Sequence, residues 1–258
     1  MGDKNMFIQE NRTKRKLQAG QPAYGVISTS DDPQLAELFG LSGFDFYMLD
    51  AEHGLIDPLQ AANVIRACEL VNMTPLIRIG SKDPKLVLQY MDAGMMGVMM
   101  PGLETVEEIR MLVEAVKYPP LGKRGMGLTR ASGYIATGDE AIEYIDFTND
   151  QTMVIPQFED AALIDHFEEM ISQPGVDVVV IGPRDLSLNM GFPDGPNHPE
   201  VQEMIDRVVA LCKKAGAATG ITAATRADSA NQVARGAMMI LTTPQWVIFS
   251  GAKDFLST

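Results

Sequence analysis

Short apolar runs alternate along this chain with amphipathic segments of helical period. The runs Ala23–Ser28, Asp45–Leu49, Thr74–Ile79, Gly97–Met100, Met153–Phe158, Val176–Ile181, Ala217–Ile221 and Ala237–Leu241 have strand length and near-continuous hydrophobicity. Strands covered on both faces read this way, as in a parallel sheet. Helical patterns follow near 32–41, 58–71, 84–93, 104–117, 160–173, 198–215, 225–235 and 244–256. Eight strand–helix pairs without a linker predict a closed (β/α)8 TIM barrel spanning 1–258 as a single domain, with a polar leading helix at Lys4–Ala19. A doubly wound open sheet fits less well, because no Gly-rich nucleotide turn follows the first strand. The longest interruption, Tyr118–Asp150, begins PPLGKRGMG and is too long for a simple connection.

Composition narrows the partners. Of 258 residues, 34 are Asp or Glu against 21 Lys or Arg, a formal net charge of −13. Nucleic acid and anionic membrane are disfavoured as partners by repulsion, and an anionic substrate would need local cations or a metal. The chain has no run of membrane-spanning length and no signal-peptide pattern. Cys68 and Cys212 fall in separate helical patterns, which reads as two buried thiols in a reducing compartment. A soluble, cytoplasmic protein is expected. The 17 methionines scatter through strands and helices, as core filler does.

Barrels of this kind build their sites at the carboxyl ends of the strands. There the second strand delivers Asp50, Glu52 and His53 in the run FDFYMLDAEHGLID. The third ends at Arg78, the fifth carries Gln157 and leads to Glu159, and the sixth leads into GPRDLS with Asp185. Alternation along a strand places Arg78 on the face of Leu76, and Gln157 on the face of Glu159. Glu159 and Asp185 are hard oxygen donors, suited to Mg²⁺ or Mn²⁺, with Co²⁺ as a substitute. A 2-oxo acid would complete such a site with a carboxylate and a ketone oxygen, the metal and Arg78 polarising the ketone. His53, beside carboxylates, is the candidate base. No strand run contains a lysine, so Schiff-base chemistry is not expected. Lys123 and Arg124 could hold an anionic substrate, or PPLGKRGMG could be a rigid turn only.

At these residues the chain resembles the metal-dependent pyruvate aldolases of the HpcH/HpaI type. The matching segments are GFDFYMLDAEHG, PLIRI, YPPLGKRGMG, QFE and GVDVVVIGPRDLSLNMG, between about Gly20 and Leu241. The resemblance implies reversible cleavage of a 4-hydroxy-2-oxo acid to pyruvate, or a related 2-oxo acid, and an aldehyde through a metal-bound enolate. It also implies metal ligation by Glu159 and Asp185, a His53–Asp50 base pair, enolate stabilisation by Arg78 and a ligand contact from Gln157. Backbone amides around Pro183, Arg184 and Asp185 would hold the pyruvate carboxylate. A homo-oligomer, a hexamer or trimer with exchanged C-terminal helices, is implied as well. Arg184 stands where relatives commonly carry a small residue, and LTTP at 241–244 replaces a V-G-S-D run. The alternatives are a CoA-thioester lyase of the malyl or citramalyl type, a non-catalytic barrel binding a 2-oxo acid, and a structural subunit.

Overall fold

A computed structural model describes residues 9–134 and 139–257. Its eight strands are β1 (Ala23–Ser28), β2 (Phe46–Asp50), β3 (Thr74–Arg78), β4 (Gly97–Met100), β5 (Met153–Phe158), β6 (Val178–Ile181), β7 (Ala218–Thr222) and β8 (Met239–Thr242). They pair in parallel in chain order, and β8 returns to β1 to close the barrel. The expected (β/α)8 architecture is present.

Two apolar layers fill the molecule. Inward residues, among them Phe46, Met48, Leu76, Met99, Met153, Ile155, Val180, Met239 and Leu241, form one buried cluster inside the barrel. Outward residues such as Tyr47, Leu49, Ile77, Ile79 and Val98 join a second cluster beneath the helices. Four of the interior positions are methionines, whose unbranched side chains fit the tapering lumen. Gly25 makes room for the Phe46 ring, since a Cβ there would lie 2.2 Å from it.

Helices α2 (Pro33–Leu41), α3 (Pro58–Leu70), α4 (Pro84–Ala93) and α5 (Val106–Val116) follow β1 to β4. Asp32, Asp57, Asp83 and Thr105 cap them through side-chain oxygens, and proline opens the first three. The long interruption contains α6 (Asp139–Gln151), which the hydrophobic pattern did not single out. The helix expected at 160–173 is instead a 3₁₀ turn (Ala161–Asp165) followed by α7 (Phe167–Ile171). A short α8 (Pro183–Asn189) precedes α9 (Pro199–Ala215), α10 (Arg226–Arg235) and α11 (Pro244–Leu256). Among the described residues no helix is long and apolar enough to cross a membrane. Cys68 and Cys212 are both buried free thiols, as expected.

The leading helix is shorter than expected within the described residues: α1 covers Arg12–Gln18, and residues 1–8 lie outside them. It closes the underside of the barrel. Asn11 bonds the Gln151 and Met96 carbonyls, Lys16 pairs with Asp45 at 2.7 Å, and Lys14 pairs with Asp177 at 2.9 Å. Beside Lys14, the buried Lys117 donates to the carbonyls of Asn149 (2.7 Å) and Thr152 (2.6 Å).

Burial pushes the Lys117 ammonium down from 10.5 to about 8. Between those values the unfolded chain binds the extra proton, so stability contributed by this group rises with pH across that window. In Lys117→Met the rise is expected to vanish. The stability of wild type minus variant, from urea denaturation, should grow by roughly 2–3 kcal/mol between about pH 7.5 and about pH 10.5. A difference independent of pH would contradict the assignment.

Candidate active site

The register of the parallel ladder builds the floor of the candidate site. Asp50 ends β2 directly opposite Arg78, which ends β3. The Asp50 carboxylate receives Arg78 through two bonds, from Nε at 2.9 Å and from Nη2 at 2.6 Å. It also accepts the backbone N–H groups of Glu52 (3.2 Å) and His53 (3.3 Å), which turns the chain sharply past the strand end. Gly54 sits inside this turn, where a Cβ would lie 2.3 Å from the Asp50 carbonyl oxygen. Burial raises the Asp50 carboxyl, but the Arg78 pairing outweighs it and holds the group below the ordinary carboxylate range.

This arrangement corrects the expected partner of His53. Asp50 meets His53 through the backbone N–H, while its carboxylate is committed to Arg78. The imidazole stands instead beside Glu52, with Nε2 3.9 Å from Oε2, and its side chain is 63% exposed. The same Glu52 Oε2 lies 3.1 Å from Arg78 Nε. Glu52 therefore bridges the guanidinium and the imidazole, a role the sequence reading left unassigned. Burial, with Glu159 as a nearby like charge, keeps the Glu52 carboxyl above its usual range despite Arg78.

On the opposite wall, Gln157 on β5 donates from Nε2 to Glu159 Oε2, and the Gly102 N–H donates to Glu159 Oε1. Gln157 is 2% exposed, and its Oε1 is buried without a hydrogen-bond partner. Such an atom carries a desolvation cost that a bound ligand or water would relieve. Gly182, at the end of β6, permits the close approach, because a Cβ there would lie 2.9 Å from Gln157 Nε2 and 3.2 Å from Glu159 Oε2. Asp160, next to Glu159, caps the 3₁₀ turn by accepting from the Ala162 N–H. That leaves Glu159 free of a capping duty.

Glu52, His53, Glu159 and Asp185 line one cleft of about 320 Å³ with Gly102, Leu103, Glu104, Asp160 and Asn189. Larger recesses lie under the barrel, beside Lys14 and Met238, and between α10 and α11, beside Phe44 and Trp246. Neither brings together acidic and imidazole groups at strand ends. Leu103, Glu104 and Asn189 were not anticipated; the MMPGLE run ending β4 was the available signal for the first two.

Other expectations change. Arg184 turns its guanidinium to the Pro193 carbonyl at 3.1 Å and is not part of the cleft lining. Pro183 has no N–H to offer, so the backbone donors at the start of α8 are those of Arg184 and Asp185. Lys123 pairs with Glu114, while Arg124 is buried against Asp92 (2.8 Å) and stacks over the Tyr118 ring. Both hold the PPLGKRGMG turn in place, away from the cleft lining.

Among the described residues, no group of three or more His, Cys, Asp or Glu side chains forms a complete metal cage. The cleft nevertheless fits a hard divalent cation. Two carboxylates, Glu159 and Asp185, face the same space without cysteine, and Mg²⁺ characteristically takes one or two carboxylates and fills its remaining positions with water and substrate.

A closed parallel barrel with acidic groups gathered at its carboxyl rim defines a class of (β/α)8 enzymes. Comparison with known proteins makes the assignment specific. Residues 24–243 match the family model described as HpcH/HpaI aldolase/citrate lyase, and the chain belongs to that family. It is 36% identical over 217 residues to a hydroxypyruvate/pyruvate aldolase of Sagittula stellata, covering 84% of each chain. It is 31% identical over 250 residues to a 4-hydroxy-2-oxo-heptane-1,7-dioate aldolase of Shigella flexneri, covering 96% of this chain and 92% of the relative. The crystal structure of an HpcH/HpaI aldolase from Desulfitobacterium hafniense superposes with a TM-score of 0.86 at 27% identity, covering 95% of this chain and 96% of that one. The protein is an enzyme of the aldolase/lyase type.

Replacing Asp50 by Asn leaves Arg78 without its principal counter-charge. The variant is expected to lose roughly 2–4 kcal/mol above about pH 5. The deficit should shrink as pH falls below about 4, because the unfolded wild-type chain then gains a proton at Asp50 that the folded, Arg78-paired carboxylate resists until lower pH. Denaturant titrations at three pH values measure both; an unchanged stability would show the pair to be energetically neutral.

Proposed function

We propose that the protein is a divalent-metal-dependent aldolase that joins a 2-oxo acid such as pyruvate to an aldehyde, and reverses that reaction. The observation that carries this reading is the convergence of Glu159, Asp185, Glu52 and His53 on one cleft, with Arg78 tied to its floor. Glu159 and Asp185 would hold Mg²⁺ or Mn²⁺, with Co²⁺ able to replace them, and the ion would polarise the donor ketone as a Lewis acid.

The chain's own residues do the rest. Arg78 uses Nε and Nη2 on Asp50, and its Nη1, without a hydrogen-bond partner among the described residues, is available to the ketone oxygen as negative charge develops there. Asp50 fixes that guanidinium in position and does not touch substrate. The N–H groups of Arg184 and Asp185, following Pro183, receive the donor carboxylate. Gln157 orients Glu159 and presents Oε1 to a water or ligand proton. His53 Nε2, directly or through one water, takes a proton from the donor methyl group and returns it in cleavage. Glu52 beside it favours the imidazolium formed in that step.

Oligomerisation follows from α11. Its Trp246, Val247, Ile248, Phe249, Phe255 and Leu256 are exposed, and only Pro244 of the helix is buried. An unpartnered apolar face of this size marks an interaction surface, and a second copy of the chain is the proposed partner.

Three measurements test these assignments. His53→Ala is expected to slow exchange of the pyruvate methyl protons with D₂O, followed by proton NMR, by about 100-fold or more; an unchanged exchange rate would remove His53 as the base. Chelator treatment should abolish aldol turnover and added Mg²⁺ or Mn²⁺ should restore it, whereas chelator-resistant turnover would refute the metal requirement. Light scattering should show a multi-chain assembly that Phe249→Asp with Phe255→Asp reduces to smaller species. A wild-type monomer would overturn the proposed association.

A further inference from the structure

Resting on that reading, we infer that the acceptor is a neutral, hydroxylated aldehyde and that carboxylated aldehydes are discriminated against by Glu104 and the acidic outer cleft. The charges lining the cleft are Glu52, Glu104, Glu159, Asp160 and Asp185. A divalent cation held by Glu159 and Asp185 offsets two of these five, and the donor carboxylate adds a further negative charge.

No lysine or arginine is among the lining residues to receive an anionic tail. The nearby cations at the strand ends are committed elsewhere. Arg78 is bound by Asp50 and Glu52, and Lys82 is paired with Glu108. Arg184 lies against the Pro193 carbonyl. A carboxylated acceptor would therefore bring its charge into a space with several like charges and no lining lysine or arginine to receive it.

Hydroxyl groups meet the opposite situation. Among the described residues the Glu104 carboxylate forms no ion pair or side-chain hydrogen bond, and its backbone N–H is already used by Glu108. Its two oxygens can accept from acceptor hydroxyls. Across the cleft, Asn189 Oδ1 accepts the Ala161 N–H at 3.0 Å, leaving the Asn189 amide N–H groups to donate. An acceptor-only and a donor group thus flank one opening, which suits a hydroxyl that does both. Behind the lining residue Glu159, Gln157 keeps its Oε1 buried and without a hydrogen-bond partner among the described residues, an unmet acceptor that a ligand or water reaching past Glu159 would relieve.

The reaction balances without another reagent. The donor methyl loses a proton, its carbon bonds to the aldehyde carbon, and the aldehyde π-electrons move to oxygen, which takes up a proton.

The test compares kcat/KM for glyceraldehyde, butanal and succinic semialdehyde with pyruvate and Mg²⁺. Glyceraldehyde should exceed succinic semialdehyde by tenfold or more at low ionic strength, with butanal between them. The gap should narrow as salt screens the rim. Glu104→Gln should narrow it by raising the semialdehyde and lowering glyceraldehyde. Succinic semialdehyde equal to or ahead of glyceraldehyde in wild type, or a ratio unmoved by Glu104→Gln, would overturn the acceptor assignment alone. No product from any of the three, together with no methyl-proton exchange of pyruvate, would overturn the aldolase reading itself.

Discussion

The Asp50–Arg78 pair is the constraint around which the candidate site is organised. Strand pairing puts the two residues opposite each other at the rim, and their double hydrogen bond fixes the guanidinium there. Arg78 in turn draws Glu52 over the strand end, and Glu52 is what the His53 ring stands against. Backbone bonds from Glu52 and His53 to the same aspartate set the turn that carries both. One buried carboxylate thus orients a cation, a second carboxylate and an imidazole. Such a pair adds little over a well-packed apolar replacement, because desolvation consumes most of its Coulombic gain, but removing one partner leaves a buried charge unpaired, and the intact pair gives the site a defined geometry.

The second half of the site is organised by small residues. Gly182 lets Gln157 and Glu159 approach the end of β6, and the Gly102 N–H holds the other Glu159 oxygen. The two halves differ in character. The Asp50–Arg78 side is charge-paired, whereas the Glu159–Asp185 side is rich in carboxylate oxygen and poor in cations. In the proposed reading a divalent ion offsets that imbalance, and the same imbalance, extended to Glu104, would shape which aldehyde can approach.

Much of this was legible from the chain. Parallel strands covered on both faces must be continuously apolar, so the eight runs stood out and their ends marked the rim. Arg78 sharing a face with Leu76, and Gln157 with Glu159, followed from strand alternation alone. The partner of Asp50 did not, because choosing between Arg78 and His53 depends on cross-strand register and on which side of a turn a ring falls. α8 has only seven residues, too few for a helical period to show, and so Arg184 could not be seen turning to Pro193. α6 was hidden because it lies within the long interruption rather than directly after one of the eight apolar runs. Glu104 lies on a loop and Asn189 at the end of the short α8, where no periodicity reports the direction of a side chain.

In the proposed reading Glu159 and Asp185 together grip one divalent cation. A crystal structure grown with Mn²⁺ and pyruvate, with anomalous differences collected at the manganese edge, decides it. One strong anomalous peak at the Glu159 and Asp185 carboxylates, with pyruvate oxygens beside it, is the expected result. A peak held by other residues, or pyruvate bound in the cleft with no cation beside it, would refute the metal site.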